Sequence, residues 1–142
     1  MEAHATVVCC GHPKVRGTHP TTFEVTTEGH LTVAGDCIIG VSADRGAAGL
    51  PAEFRILLCH DNAVLLTRLS AGDLQVEVHS RGSASFTLDH PAAMVWRRSR
   101  YVDGRTVGIL SDRTAAMLPR ELIAVLRSGA TLVVEMTATR PV

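Results

Sequence analysis

The feature that most constrains this chain is that it repeats itself. At an offset of 68 residues, GDCIIGVSADRGAAGLPAEF (35–54) lies over DGRTVGILSDRTAAMLPREL (103–122). Eight pairs are identical: Gly40/Gly108, Asp44/Asp112, Arg45/Arg113, Ala47/Ala115, Ala48/Ala116, Leu50/Leu118, Pro51/Pro119 and Glu53/Glu121. Average residue usage would give about one. At an offset of 71 the match runs further back, pairing Gly11 with Gly82 and His19-Pro20 with His90-Pro91. The three-residue difference fits a longer turn around TTEGHL in the first half. The repeats span 5–69 and 76–137 of a single domain, 1–142. Two similar halves of this size have to be stabilised by similar packing, and such a chain is read repeat by repeat.

Each half predicts the same series of elements. A strand comes first (ATVVCC, LQVEVHS), then a Gly-containing turn and an extended stretch (HPTTFEVTT, SASFTLDHPAAMVW). An apolar strand follows (CIIGVSA, RTVGILS); Gly35–Asp44 reads as the central strand of its half. A short helix starts at Leu50-Pro51 or Leu118-Pro119, where proline's missing N–H costs nothing. Glu53 and Glu121 suit the positive end of the helix dipole. Phe54, Leu57, Leu58 and Leu122, Val125, Leu126 continue at helical spacing. A last strand closes each half (NAVLLTRL, ATLVVEM). The fold class is mainly β within α+β, with duplicated β-β-β-α-β halves. Two such halves can interleave as a closed or partly closed barrel of the cradle-loop type, which removes exposed strand edges. The rival architecture is a two-lobed α+β sandwich.

Composition excludes several classes. Acidic and basic residues balance at 14 each, so no global charge attracts nucleic acid or an anionic membrane. All but one of the basic residues are arginine, whose fork suits phosphates and carboxylates. No apolar run approaches the ~20 residues of a membrane span, and the start, MEAHATVVCCGHPK, does not read as a signal peptide. Cys9, Cys10, Cys37 and Cys59 fit no zinc spacing, and reduced thiols in a cytoplasm are the simpler reading.

A duplication carries its own control. Groups alike in both halves read as architecture: Asp44 and Asp112 as turn caps, Arg45 and Arg113 as their partners. Polar groups kept in one half are functional candidates. His12 faces Ser83, Thr21 and Thr22 face Ala92 and Ala93, and Glu24 faces Val95 or Trp96. Asp36 and Cys37 face Gly104 and Arg105. Three chemistries fit this set. His12, His19, Asp36 and Cys37 can ligate a divalent metal, although His-x6-His is no known signature. The same four residues are the catalytic candidates, with Cys37 and a histidine as a nucleophile pair; against that, free cysteine is usually a small buried apolar residue. Arg16, Thr18, His19, Thr21, Thr22 and Glu24 form a ligand-binding set in which hydroxyls and a guanidinium hold a phosphate or carboxylate; against that, threonine is common in strands. Cys37 is expected to face this polar site and not the core.

The segment WRRSRYVDGR (96–105) sets four arginines beside Trp96 and Tyr101. Such a segment is either a platform for single-stranded RNA or a solvated hairpin with its arginines outward. No Walker A, GxGxxG, HExxH or GxSxG pattern occurs. Whether the chain is an enzyme stays open at this level, as does its oligomeric state.

The segments Gly-His-Pro (11–13), Thr-His-x-Thr-Thr-x-Glu (18–24), Gly-Asp-Cys-Ile-Ile-Gly-Val (35–41) and the second His-Pro (90–91) resemble, nearly end to end, the archaeal family known as domain of unknown function 371. The resemblance marks Gly11, His12, His19, Thr21, Thr22, Glu24, Gly35, Asp36, Cys37, Gly40 and Asp44. It implies an archaeal cytoplasmic protein and no activity. The chain departs from the pattern at Ala34, where the family resemblance implies a basic residue, and at Ser83–Ala84, where it implies a second Gly-His-Pro. The leading expectation is a barrel that binds a small anionic ligand or nucleic acid through a polar site in the first repeat. The alternative is an enzyme using the same His, Asp and Cys groups, with or without a metal.

Overall fold

A computed structural model describes residues 1–31 and 35–141; Ala34 lies outside the described residues. The order is β1 (Glu2–Cys10), β2 (Thr22–Thr26), β3 (Ile38–Gly40), α1 (Ala52–Leu58), β4 (Val64–Ala71), β5 (Leu74–Arg81), β6 (Ala93–Arg97), β7 (Thr106–Gly108), α2 (Arg120–Arg127) and β8 (Thr131–Thr139). A short 3₁₀ turn precedes each helix. The series from β1 to β4 is that from β5 to β8.

The strands form two four-stranded sheets, β1-β8-β4-β5 and β3-β2-β6-β7. Each sheet takes two strands from residues 2–71 and two from 74–139, so the two segments are not separate lobes. β1 pairs with β8, and β5 with β4. In the second sheet the antiparallel β2–β6 pair is central, and β3 and β7 lie parallel to it at the edges. Gly35–Asp44 therefore supplies an edge strand, not a central one. It is also shorter than expected: Ser42 and its counterpart Leu110 take left-handed φ values of 54° and 50°, which no extended strand accommodates. The long extended stretch expected before β6 likewise reduces to Ala93–Arg97, since Leu88 is left-handed (φ 47°) and His90 closes a turn. Single bridges, Cys10↔Val41 and Arg81↔Ile109, connect the sheets at their edges. The described strands thus form two sheets and not one continuous closed sheet.

The core fills the space between the sheets. β1 alternates exposed and buried residues along its whole length, as a strand with one wet face must. Phe23 and Trp96, cross-strand partners, are fully buried and stack with centroids 4.7 Å apart. The Trp96 indole N–H donates to Thr67 Oγ1 at 2.9 Å and ties one sheet to the other. Both helices begin directly after Pro51 or Pro119 and bury Phe54, Leu57, Leu58 and Leu122, Ile123, Leu126. Pairs matched by the repeat have matching tasks. Asp44 Oδ1 accepts the Val8 N–H at 3.2 Å and Asp112 Oδ1 that of His79 at 2.9 Å. Arg45 approaches Asp44 at 3.9 Å, whereas Arg113 donates to the Met117 carbonyl instead.

Gly11 and Gly82 show how tightly the halves interlock. A Cβ on Gly11 would meet the Leu126 carbonyl of α2, and one on Gly82 the Leu58 carbonyl of α1. Backbone cannot yield as a side chain does. Gly11→Ala is expected to lower the unfolding free energy by about 1–3 kcal/mol, read by urea denaturation; a loss below a few tenths would show that α2 shifts without cost.

Candidate functional site

The outer face of the second sheet carries Thr22, Glu24 and Thr26 on β2 opposite Arg97, Val95 and Ala93 on β6. Loops cover this face, so Thr22, Arg97 and Thr106 are buried although they point away from the core. Glu24 pairs with Val95 across the two central strands. The Glu24 N–H donates to the Cys37 carbonyl and the Val95 N–H to the Arg105 carbonyl. Cys37 and Arg105 therefore occupy equivalent places on either side of the central strand pair. A thiol stands on one side and a guanidinium on the other.

Arg105 is held from within its own half. Its Nη2 and Nε reach Asp103 Oδ2 at 2.8 and 3.2 Å. The same oxygen receives Arg97 Nη2 at 2.9 Å, while Arg97 Nε donates to Thr106 Oγ1 at 2.9 Å. Burial pushes the Asp103 carboxyl up, but hydrogen bonds from Arg105 and the charges of both arginines outweigh it and hold the group well below the ordinary carboxylate range. The remaining Arg105 nitrogen, Nη1, reaches Glu24 Oε1 at 3.4 Å. The Glu24 side chain is 13 % exposed and burial raises its pKa, with Arg105 and then His90 pulling the other way. Burial, with Glu24 and Asp36 nearby, pushes the Cys37 thiol up to about 11. A thiol held this high is protonated at neutral pH and a weak nucleophile.

His19 belongs to the same neighbourhood through Thr22, whose hydroxyl lies 3.1 Å from His19 Nδ1 and acts on the Cys37 thiol. Nδ1 accepts the backbone N–H groups of Thr21 and Thr22, both at 3.2 Å. The proton of the neutral ring therefore sits on Nε2, which makes His19 a donor there. His90 Nδ1 does the same for Ala92 and Ala93, at 3.1 and 2.9 Å. The two His-Pro motifs are thus turn caps. The signal was visible, since His19-Pro20 and His90-Pro91 are alike in both halves.

Of the sequence candidates, the fold brings together His19, Thr22, Glu24 and Cys37, with Thr21 beside them on the His19 cap. Asp36 joins through its carbonyl, which accepts the N–H groups of Thr18 and His19 at 3.1 and 3.3 Å. His12 Nδ1 accepts the Lys14 N–H at 3.0 Å, and among the described residues no hydrogen bond or ion pair joins its side chain to the other candidates. The Arg16 carbonyl accepts from Arg120 Nη1 at 3.5 Å. Among the described residues no three His, Cys, Asp or Glu side chains converge as a metal-binding group. Sequence reasoning missed Asp103 and placed Arg105 on a solvated or RNA-facing hairpin. Trp96 is wholly buried and cannot stack on a base, and Arg97 is buried against Asp103 and Thr106. Tyr101 alone offers an exposed ring there, with the Arg97 guanidinium 4.8 Å from its centroid.

With this geometry in hand, comparison with known proteins places the chain. A family model described as a domain of unknown function (DUF371) matches residues 7–139. The chain belongs to this family. It is 32 % identical over 123 residues to an uncharacterized protein, MJ0206, of Methanocaldococcus jannaschii, covering 87 % of this chain and 90 % of that one. No helix among the described residues is long and apolar enough to cross a membrane. Neither the family nor the relative brings an activity with it, so chemistry has to be argued from the site.

Proposed function

We propose that the chain is an internally duplicated protein that binds a small anionic ligand over the Glu24–Cys37–Arg105 face of its second sheet. The two bridges that join the sheets make the fold a partly closed barrel in this reading, and the loops before β2 and after β6 cradle the ligand. The observation that carries it is Arg105. Its guanidinium is fixed by Asp103 yet 39 % exposed, and its Nη1 edge meets Glu24, whose pKa burial raises. A carboxylate or phosphate replacing Glu24 gains a pre-oriented fork. The His19 Nε2–H supplies a further donor from the first repeat. Anion binding is linked to protonation of Glu24 and tightens as pH falls through its raised pKa.

The test is a titration with inorganic phosphate and with small mono- and dicarboxylates, followed at the backbone amides of Glu24 and Cys37. Glu24→Gln is expected to tighten binding several-fold and Arg105→Ala to weaken it by about tenfold or more. Unchanged affinity in Arg105→Ala would remove the site. An enzymatic reading with His19 as base and Cys37 as nucleophile has less support, because His19 Nδ1 is occupied by backbone N–H groups and burial raises the thiol pKa.

A further inference from the structure

A different part of the molecule carries two unpaired arginines. A cavity of about 330 Å³ is lined by Arg81, Arg100, Ser83, Asp61 and Leu110, among others. No hydrogen bond or ion pair engages the guanidinium of Arg81 or of Arg100 among the described residues. Asp61, the one carboxylate in the cavity, is occupied with the loop: its Oδ1 accepts the Ala84 N–H at 2.8 Å and the Ser83 hydroxyl at 3.5 Å. The cavity therefore sets two guanidinium forks against a single carboxylate, an excess of positive charge that suits an oxyanion.

Arg81 and Leu110 also line a second, adjoining groove of about 490 Å³ on the outer face of the first sheet. There Val64, Leu66 and Leu110 form an apolar strip, with Val64 and Leu110 each 40 % exposed; Thr137, Thr139 and the Asp112 carboxylate, which lies 3.2 Å from His79 Nδ1, border it. Leu110 holds its position at a cost, since its φ of 50° is unfavourable for a leucine. Its N–H donates to the Ser99 carbonyl at 3.1 Å, which fixes the loop bearing Arg100. The repeat supplies the comparison: the first half has Cys10 in the place of Arg81 and Ser42 in the place of Leu110. The arginine and the exposed leucine occur in one half only, while the backbone shape occurs in both.

We propose that these two joined hollows form one binding site for a small anionic amphiphile, an unbranched or branched alkyl chain ending in a phosphate or carboxylate. The head lies between Arg81 and Arg100. The chain lies along Val64, Leu66 and Leu110. Their combined size suits a compact single molecule and not a polymer.

The test uses the full chain and three probes in isothermal titration below their micelle concentrations: octyl phosphate, inorganic phosphate and neutral octyl glucoside. Amide shifts locate the site, at Leu110 and Val64 for this proposal or at Glu24 and Cys37 for the anion site described above. Octyl phosphate is expected to bind saturably with shifts at Leu110. The Arg81→Ala/Arg100→Ala pair is expected to weaken it by about tenfold or more. Leu110→Ser, which copies the residue found at that φ in the first half, is expected to weaken it several-fold while circular dichroism stays unchanged. The proposal is overturned by unchanged affinity in the double arginine variant. It is equally overturned if inorganic phosphate or octyl glucoside binds as tightly as octyl phosphate, or if the shifts appear only at Glu24 and Cys37. That last result would leave the first site standing.

Discussion

Asp103→Ala is expected to lower the unfolding free energy by about 3 kcal/mol, because it strands a buried guanidinium. Asp103 receives Arg97 and Arg105 together, and the Arg97 side chain is only 11 % exposed. The partial exposure of Arg105 keeps the figure at the lower end of what breaking a buried pair costs. The sign with pH follows from the depressed Asp103 pKa. Its stabilisation is fully present above the ordinary carboxylate pKa of about 3.9 and is lost as pH falls below it. Glu24 acts oppositely: its raised pKa favours the folded state when protonated, so its contribution declines as pH rises through the carboxylate range. Urea denaturation from pH 3 to pH 7 checks this. The wild-type curve should drop steeply at the acid end, and the variant should show a lower, flatter one. A variant within about 0.5 kcal/mol of wild type at pH 7 would mean that both arginines find other partners or water.

Trp96→Ala is expected to cost still more, about 3–5 kcal/mol from the lost burial and the cavity left behind. The stacked Phe23 adds roughly 0.5–1.5 kcal/mol that burial does not count. Thr67, wholly buried, also loses the indole N–H it accepts. Against the ~5–15 kcal/mol stability of an ordinary domain, this is enough to leave a large unfolded fraction. Trp96 is the single tryptophan, so the variant is followed by circular dichroism. Trp96→Phe should lose much less, since it keeps an aromatic ring against Phe23. If Trp96→Ala and Trp96→Phe melt together, the stack and the inter-sheet hydrogen bond contribute nothing and the site is plastic.

Much of the fold was legible because it is written locally. The alternation in β1, the Pro-x-Glu starts of both helices and the helical spacing of Leu122 and Leu126 each act over a few residues. The paired glycines, aspartates and His-Pro turns were visible because the repeat prints them twice. Their physical reasons match their appearance: Gly11 and Gly82 each admit a helix carbonyl, and each histidine satisfies two backbone N–H groups. The extended stretches were read too long, since alternation cannot reveal a left-handed residue such as Leu88 or Leu110.

The candidate site was legible only by halves. His19, Thr22, Glu24 and Cys37 lie close in sequence, and one-sided polarity found them. Arg105, 81 residues beyond Glu24, was assigned to a hairpin. The clue was its alignment with Cys37, which marks the same place in the other half, but alignment does not say that the two places adjoin. That is decided by β2 pairing with β6 between the two repeats. By itself, the sequence determined which elements form, which residues turn the chain, and which groups differ between the halves. Tertiary structure alone decided that Trp96 is core and not platform, that Asp103 gathers two arginines, and that thiol and guanidinium flank one carboxylate. Local propensity acts over a few residues, whereas these contacts join strands far apart in the chain and are set by the mutual burial of two interleaved sheets.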